Sequence, residues 1–142
     1  MIVLDASVWA TALADSGPIG QASRDALKLD PDWLMPAHAP TEVLRTLRRF
    51  EMAGQLTAAQ SGRAVIEVSL ASVRYAGPDE PLLAGTWKLR HNVSLYDAPY
   101  IVLAAMYACP LVTLDQRLAV AARAAGVQVR EPSPPNRGNG SR

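Results

Sequence analysis

The chain has 142 residues, 49% of them hydrophobic, with one cysteine, a length and composition that suit a single globular domain burying roughly 70% of its unfolded surface. With 14 Lys and Arg against 13 Asp and Glu the net charge is +1, so no global field draws in nucleic acid or membrane and a polyanionic ligand needs a local basic patch. Cys109 alone excludes an internal disulfide and a thiolate zinc site and fits a reducing, cytoplasmic setting, while the absence of a basic n-region and of any uncharged stretch of ~18 residues argues against a signal peptide and a membrane span.

Met1 to Ser7 is a short apolar run that ends in a carboxylate and then a helix-start signal. It reads as a buried parallel strand, although periodicity alone leaves a buried helix segment open. Asp5 then sits at the strand's carboxyl end, the edge where open α/β sheets bind ligands. Ser7 is expected to cap a helix through Val8, Trp9 and Leu13, stopped by Asp15-Ser16-Gly17-Pro18. A second helix should run from about Ile19 to Leu29 with Ala22, Ala26 and Leu27 inward, ended by Asp30-Pro31-Asp32. Trp33 to Met35 reads as the second strand, followed by Pro36 and a loop containing His38. Pro40-Thr41-Glu42 opens a strong helix in which Val43, Leu47 and Phe50 form an apolar stripe. Glu42, Arg45 and Arg49 share an opposing side.

After Ala53-Gly54, Thr57 can cap a helix that carries Val65, Ile66 and Val68. Ala71 to Tyr75 is open between loop and strand. A helix from about Pro81 to Arg90 is expected to turn Leu82, Leu83, Trp87 and Leu89 inward. Ala98 to Tyr107 is apolar without alternation, which indicates a buried helix. Either Ser94 caps it, with Asp97 three residues on, or Asp97 is itself the cap, and Pro99 constrains the start. Cys109 to Asp115 repeats the opening device, an apolar strand ending in an acid. A helix from Gln116 to Ala125 stops at Gly126, and Val127 to Val129 forms the last strand. Strands alternating with helices predict a three-layer α/β/α domain over 1–130 with a central, mostly parallel sheet. Residues 131–142 are too poor in apolar side chains to offset ordering and read as a disordered tail.

Asp5, Glu42, Asp97 and Asp115 each stand where a helix begins. Taken singly, each is explained as a cap or a helix-dipole partner, worth roughly 0.3 to 1 kcal/mol. Taken together, a parallel sheet delivers at least Asp5 and Asp115 to one edge. Carboxylates gathered there repel by about 4 kcal/mol per pair at ~4 Å and an effective dielectric near 20. A divalent cation removes that cost, and hard oxygen ligands without a Cys or His cluster select magnesium or manganese. The chemistry suggested is metal-assisted phosphoryl hydrolysis.

Asp-Ala-Ser at 5 to 7, Glu42 at the front of a Val-Leu-Arg-x-Leu-Arg-Arg helix, Tyr-Asp-Ala at 96 to 98 and Thr-x-Asp-x-x-Leu at 113 to 118 resemble the PIN domain, and in particular the toxin nucleases of VapBC-type toxin-antitoxin modules. The likeness runs from Met1 to about Val129. It implies a Mg²⁺- or Mn²⁺-dependent endoribonuclease acting on tRNA or another structured RNA, dimeric and neutralised by a VapB-type antitoxin. By motif position Asp5, Asp97 and Asp115 would bind metal directly or through water, and Glu42 would complete the acidic pocket. Ser7 and Thr113 match hydroxyls that orient the acids or a metal-bound water. Pro99 departs from the family pattern, and whether it kinks its helix and shifts Asp97 is left open.

Arg45, Arg48 and Arg49 are candidates for an RNA path beside Glu42, with a plain solvated helix face as the equal alternative. Arg117, one turn from Asp115, is a similar candidate, as is the Arg90-His91 pair. His38 and His91 read as ordinary loop residues. Tyr96 is expected in the core more than on a base, and Trp9, Trp33, Trp87 and Cys109 are expected to be buried. The apolar side chains between Leu56 and Val68 are open between an exposed face serving dimerisation or antitoxin binding and ordinary core. Two other function classes remain open: a magnesium-holding signalling module, which would want a lysine near the sheet edge where only Lys28 and Lys88 exist, and a degenerate scaffold whose acids only cap helices.

Overall fold

The computed structural model describes residues 1–135. Five short strands form one parallel sheet: β1 (Ile2–Leu4), β2 (Trp33–Pro36), β3 (Arg74–Ala76), β4 (Leu111–Val112) and β5 (Val129–Arg130), in the order β3-β2-β1-β4-β5. β1 lies at the centre, with Val3 beside Leu34 on one side and beside Leu111 on the other. All three of its residues are buried, so both faces of the central strand are covered. The continuous apolar run predicted this.

The chain steps outward from β1 through β2 to β3 and then returns to the other side of β1 as β4. The strand order therefore reverses between β1 and β4. In open α/β sheets a crevice forms at such a reversal, outside the carboxyl ends of the strands.

Helices supply every crossover. α1 (Ala6–Ala14) and α2 (Pro18–Leu29) join β1 to β2, and α3 (Ala39–Met52) and α4 (Ala58–Leu70) join β2 to β3. α5 (Glu80–Lys88) and α6 (Ala98–Met106) lead to β4, and α7 (Gln116–Ala124) leads to β5. α6 is buried at every position from Ala98 to Ala104 and packs on β1, β2 and β4, as expected of a helix that is apolar all round. Pro99 falls in its first turn, where a backbone N–H has no intrahelical partner, so the ring costs no bond and the helix continues unbroken to Met106.

Several expectations are corrected. Ser7 lies inside α1, whose N-cap position is Asp5. α4 needs no such correction: its buried row is Ser61, Ala64 and Val68, and Val65 and Ile66 lie on the exposed apolar side that the sequence left open there. In α5 the inward row is Leu82 and Thr86, four apart on one face, so Leu83 and Trp87 turn outward. Trp9 is buried, Trp33 and Cys109 are half-buried, and Tyr96 is exposed. The open segment yields β3, an edge strand with Arg74 and Tyr75 exposed. Apart from these corrections, Glu131, where the expected tail begins, pairs with Arg123 at 2.5 Å and also contacts Gln116; residues 136–142 of that expectation lie outside the described residues.

Thr57 caps α4 through a reciprocal box: its hydroxyl accepts the Gln60 N–H at 3.1 Å, and the Gln60 side chain accepts the Thr57 N–H at 2.8 Å. Thr57→Ala should lower the stability read from urea denaturation by about 1 kcal/mol, with no change in the denaturant slope.

Candidate active site

The crevice beyond β1 and β4 is built on Asp5. Its Oδ2 accepts two hydroxyl hydrogen bonds, from Ser7 at 2.5 Å and from Thr113 at 2.7 Å, although Thr113 lies 108 residues away. Each hydroxyl is itself held by backbone. The Asp115 N–H donates to Thr113 Oγ1 at 2.9 Å, and the Leu114 N–H donates to Ser7 Oγ at 3.2 Å. The turn after β4 is thereby tied to the turn after β1.

The other acids arrive from separate elements. Asp115 is the N-cap of α7, where its Oδ1 accepts the N–H groups of Arg117 and Leu118 at 2.9 and 3.2 Å. Glu42 stands in the first turn of α3, and its Oε1 accepts the Tyr100 hydroxyl at 3.0 Å. Asp97 precedes α6 and combines the two arrangements foreseen from sequence: it occupies the N-cap position without a side-chain cap bond, while Ser94 Oγ accepts its N–H at 3.1 Å. Its carboxylate is thus released from capping. Among the described residues, Asp5 Oδ1, Glu42 Oε2 and Asp115 Oδ2 take no hydrogen bond.

The charges disfavour one another. Burial, more than anything else, pushes the Asp5 carboxyl up to about 6; the Ser7 and Thr113 bonds oppose the rise, and the charges of Glu42 and Asp97 add to it. Asp97 is also raised, first by burial, then by Asp115 and Glu42 against the opposing effect of Ser94. Burial likewise raises the Tyr100 phenol, so it stays a hydrogen-bond donor to Glu42.

All four acids line one cleft of about 560 Å³, together with Ser7, His38, Arg45 and Arg49. Thr113 is fully buried beneath it. Arg117 lines a different groove, with Leu89 and Val120, because two residues beyond the cap a helix has turned ~200°. Arg48 is exposed on α3 and is not part of the cleft wall.

His38 is the residue that sequence reasoning missed. Its Nε2 lies 2.9 Å from Glu42 Oε1 and 2.9 Å from the Tyr96 carbonyl oxygen, so one imidazole bridges α3 to the turn that carries Asp97. The Glu42 bond is the main cause of its raised pKa, against burial. The available signal was the four-residue spacing of His38 and Glu42 across a helix start. Tyr100, 58 residues from Glu42, gave no local signal.

Among the described residues, no group of three His, Cys, Asp or Glu converges closely enough to hold a metal ion alone. The donors are nevertheless all carboxylate oxygens, mutually repelling and with free lone pairs facing one cleft. That set suits a hard divalent cation better than a thiolate- or imidazole-bound metal.

The sequence profile of the PIN domain matches residues 2–124. Ribonuclease VapC1 of Mycobacterium tuberculosis is 36% identical over 120 residues, covering 84% of this chain and 89% of its own length. Ribonuclease VapC3 of the same organism is 38% identical over 118 residues, covering 83% and 85%. Among solved structures, FitAcB from Neisseria gonorrhoeae superposes with a TM-score of 0.68 at 19% identity, over 93% of this chain and 98% of that one, a likeness of fold.

Two outcomes follow for the metal-free chain. The folded state keeps the Asp5 proton up to about pH 6, whereas an unfolded Asp releases it near 3.8. Stability from this group is therefore full below about pH 4 and is lost as pH rises to about 6, by on the order of 3 kcal/mol at most. Urea midpoints of the parent should fall across that window relative to Asp5→Asn. Asp97→Asn, which removes a charge facing Asp115 and Glu42 and breaks no cap bond, should raise the melting temperature measured in chelator; a fall would mean the acids do not crowd.

Proposed function

The chain belongs to the PIN-domain family, and from that premise we propose that it is a VapC-type endoribonuclease toxin that hydrolyses RNA phosphodiester bonds with Mg²⁺, or Mn²⁺ in its place. The observation that carries this reading is the convergence of Asp5, Glu42, Asp97 and Asp115, from four separate elements, on one cleft whose wall also presents Arg45 and Arg49. A tRNA or another structured RNA is the proposed substrate, a VapB-type antitoxin the proposed inhibitor, and a homodimer in the cytoplasm the proposed working form. Among the described residues no helix is long and apolar enough to cross a membrane.

When bound, a divalent ion at such a site lowers the pKa of an attacking water and neutralises the phosphate. Asp5, Asp97 and Asp115 would hold it, with Glu42 completing the set. The chain's own residues do the rest. Ser7 and Thr113 fix one Asp5 oxygen and leave the other to the cleft. Tyr100 and His38 do the same for Glu42. Arg45 and Arg49 offer guanidinium groups that match phosphate oxygens in pairs, which compensates for approach of an anionic backbone to four carboxylates. On α4, Val65, Ile66 and Leu70 are 41%, 57% and 79% exposed, a surface suited to the antitoxin or a second copy.

The competing reading, a scaffold whose acids merely cap helices, is supported by Asp115 alone, since neither Asp5 nor Asp97 makes a side-chain cap bond. The signalling alternative needs a lysine near the acids, and neither Lys28 nor Lys88 lines the cleft.

The test is a calorimetric titration of Mg²⁺ and Mn²⁺ into the antitoxin-free chain, beside RNA cleavage. The parent should show saturable binding and cut RNA, and Asp97→Asn should lose both. Ser7→Ala should keep the fold and weaken metal affinity about 10- to 100-fold, as loss of a ligand-orienting partner does. Absence of binding at millimolar metal would overturn the nuclease reading in favour of the scaffold.

A further inference from the structure

A second groove, of about 580 Å³, adjoins the acidic cleft, and His38 and Tyr96 line both. Apart from Thr86, its other walls are apolar. Leu83, Trp87, Leu95 and Tyr96, all of which line it, are 54%, 60%, 50% and 71% exposed. Four large apolar side chains exposed together, two of them aromatic, mark a binding surface more than scattered surface hydrophobics do. The Arg90 guanidinium lies 4.7 Å from the Trp87 ring centroid, so the aromatic side of the groove also carries a cation. Thr86, in the same wall, has a buried hydroxyl without a hydrogen-bond partner among the described residues.

We propose that this groove is a nucleobase subsite, in which a base next to the scissile phosphate leaves the RNA stack and lies against Trp87 and Tyr96. The proposal rests on the endoribonuclease reading and deepens it. A base is joined to its phosphate through one ribose, so a phosphate lying over the acids places its base at a wall of the cleft. The wall bearing Arg45 and Arg49 is cationic and suits neighbouring phosphates. The wall shared by His38 and Tyr96 opens into the aromatic groove, and Tyr96 directly precedes Asp97, so base and phosphate contacts are set by one turn. Every base has a π-face, so stacking on aromatic side chains binds single-stranded RNA, and Arg90 supplies the positive charge that RNA favours and an apolar protein segment does not require.

The antitoxin-free chain is incubated with Mg²⁺ and a pool of random-sequence oligoribonucleotides, the cut ends are sequenced, and KM and kcat are measured on the most frequently cut sequence. The parent should prefer particular bases at one position flanking the cut. Trp87→Ala and Tyr96→Ala should relax that preference and raise KM about tenfold with little change in kcat, the size expected for one lost base stack. Trp87→Phe should retain the preference. Trp87 and Tyr96 are exposed, so both variants should fold. An Ala variant with the parent's preference and KM overturns the subsite, and one that only sediments as a smaller species shows a contact between copies or with a protein partner instead. A parent that cuts neither this pool nor total tRNA defeats the endoribonuclease reading itself, and the subsite with it.

Discussion

The structure turns on two hydroxyl groups donated to a single oxygen of Asp5. Ser7 comes from the helix that leaves β1, and Thr113 from the turn that leaves β4, so the carboxylate is the point at which the two halves of the chain are fastened. The parallel pairing of β1 with β4 makes this possible: the Asp5 N–H donates to the Val112 carbonyl at 3.0 Å, which puts Thr113 beside the carboxylate. A buried carboxylate without such partners would be costly. With them, one oxygen is satisfied and the other is aimed by the fold at the cleft.

The same division of labour recurs. Asp115 gives one oxygen to the first turn of α7, and Glu42 gives one to Tyr100 and His38. Protein contacts thus orient three carboxylates through one oxygen each. The cost is mutual repulsion and desolvation, visible in the raised Asp5 and Asp97 carboxyls. Sites for charged reactants commonly keep such perturbed acids, because the ligand that neutralises them gains what the apo protein gives up. Arg45 and Arg49 offset part of the same charge for a polyanion, and the adjoining aromatic groove lies where the anionic backbone's own bases would fall.

Particular residues show where sequence reading stops. The apolar run of β1 ending at Asp5, the repeat of that device at Asp115, and the Thr57 cap were legible because strand period, helix capping and turn chemistry act over a few residues. Leu83 and Trp87 were misplaced because α5 is short and both of its faces carry apolar side chains, so pattern alone did not choose the buried row. Tyr96 was read as core on residue type, although it sits in a turn. His38 looked like a loop residue because one of its two partners, the Tyr96 carbonyl, is 58 positions away. Arg117 was assigned by nearness in sequence to Asp115, while the helical turn sends it to another groove.

The sequence by itself determined which residues are acids at helix starts, which strands are apolar enough to be buried, and that strands and helices alternate. Those are local matters of period, propensity and charge. Only the tertiary structure decided that the strand order reverses between β1 and β4, and hence that four acids separated by up to 110 positions share one cleft with Arg45, Arg49 and His38. That convergence is set by the pairing of strands distant in the chain and by hydrogen bonds such as Thr113 to Asp5, whose partners no local pattern specifies.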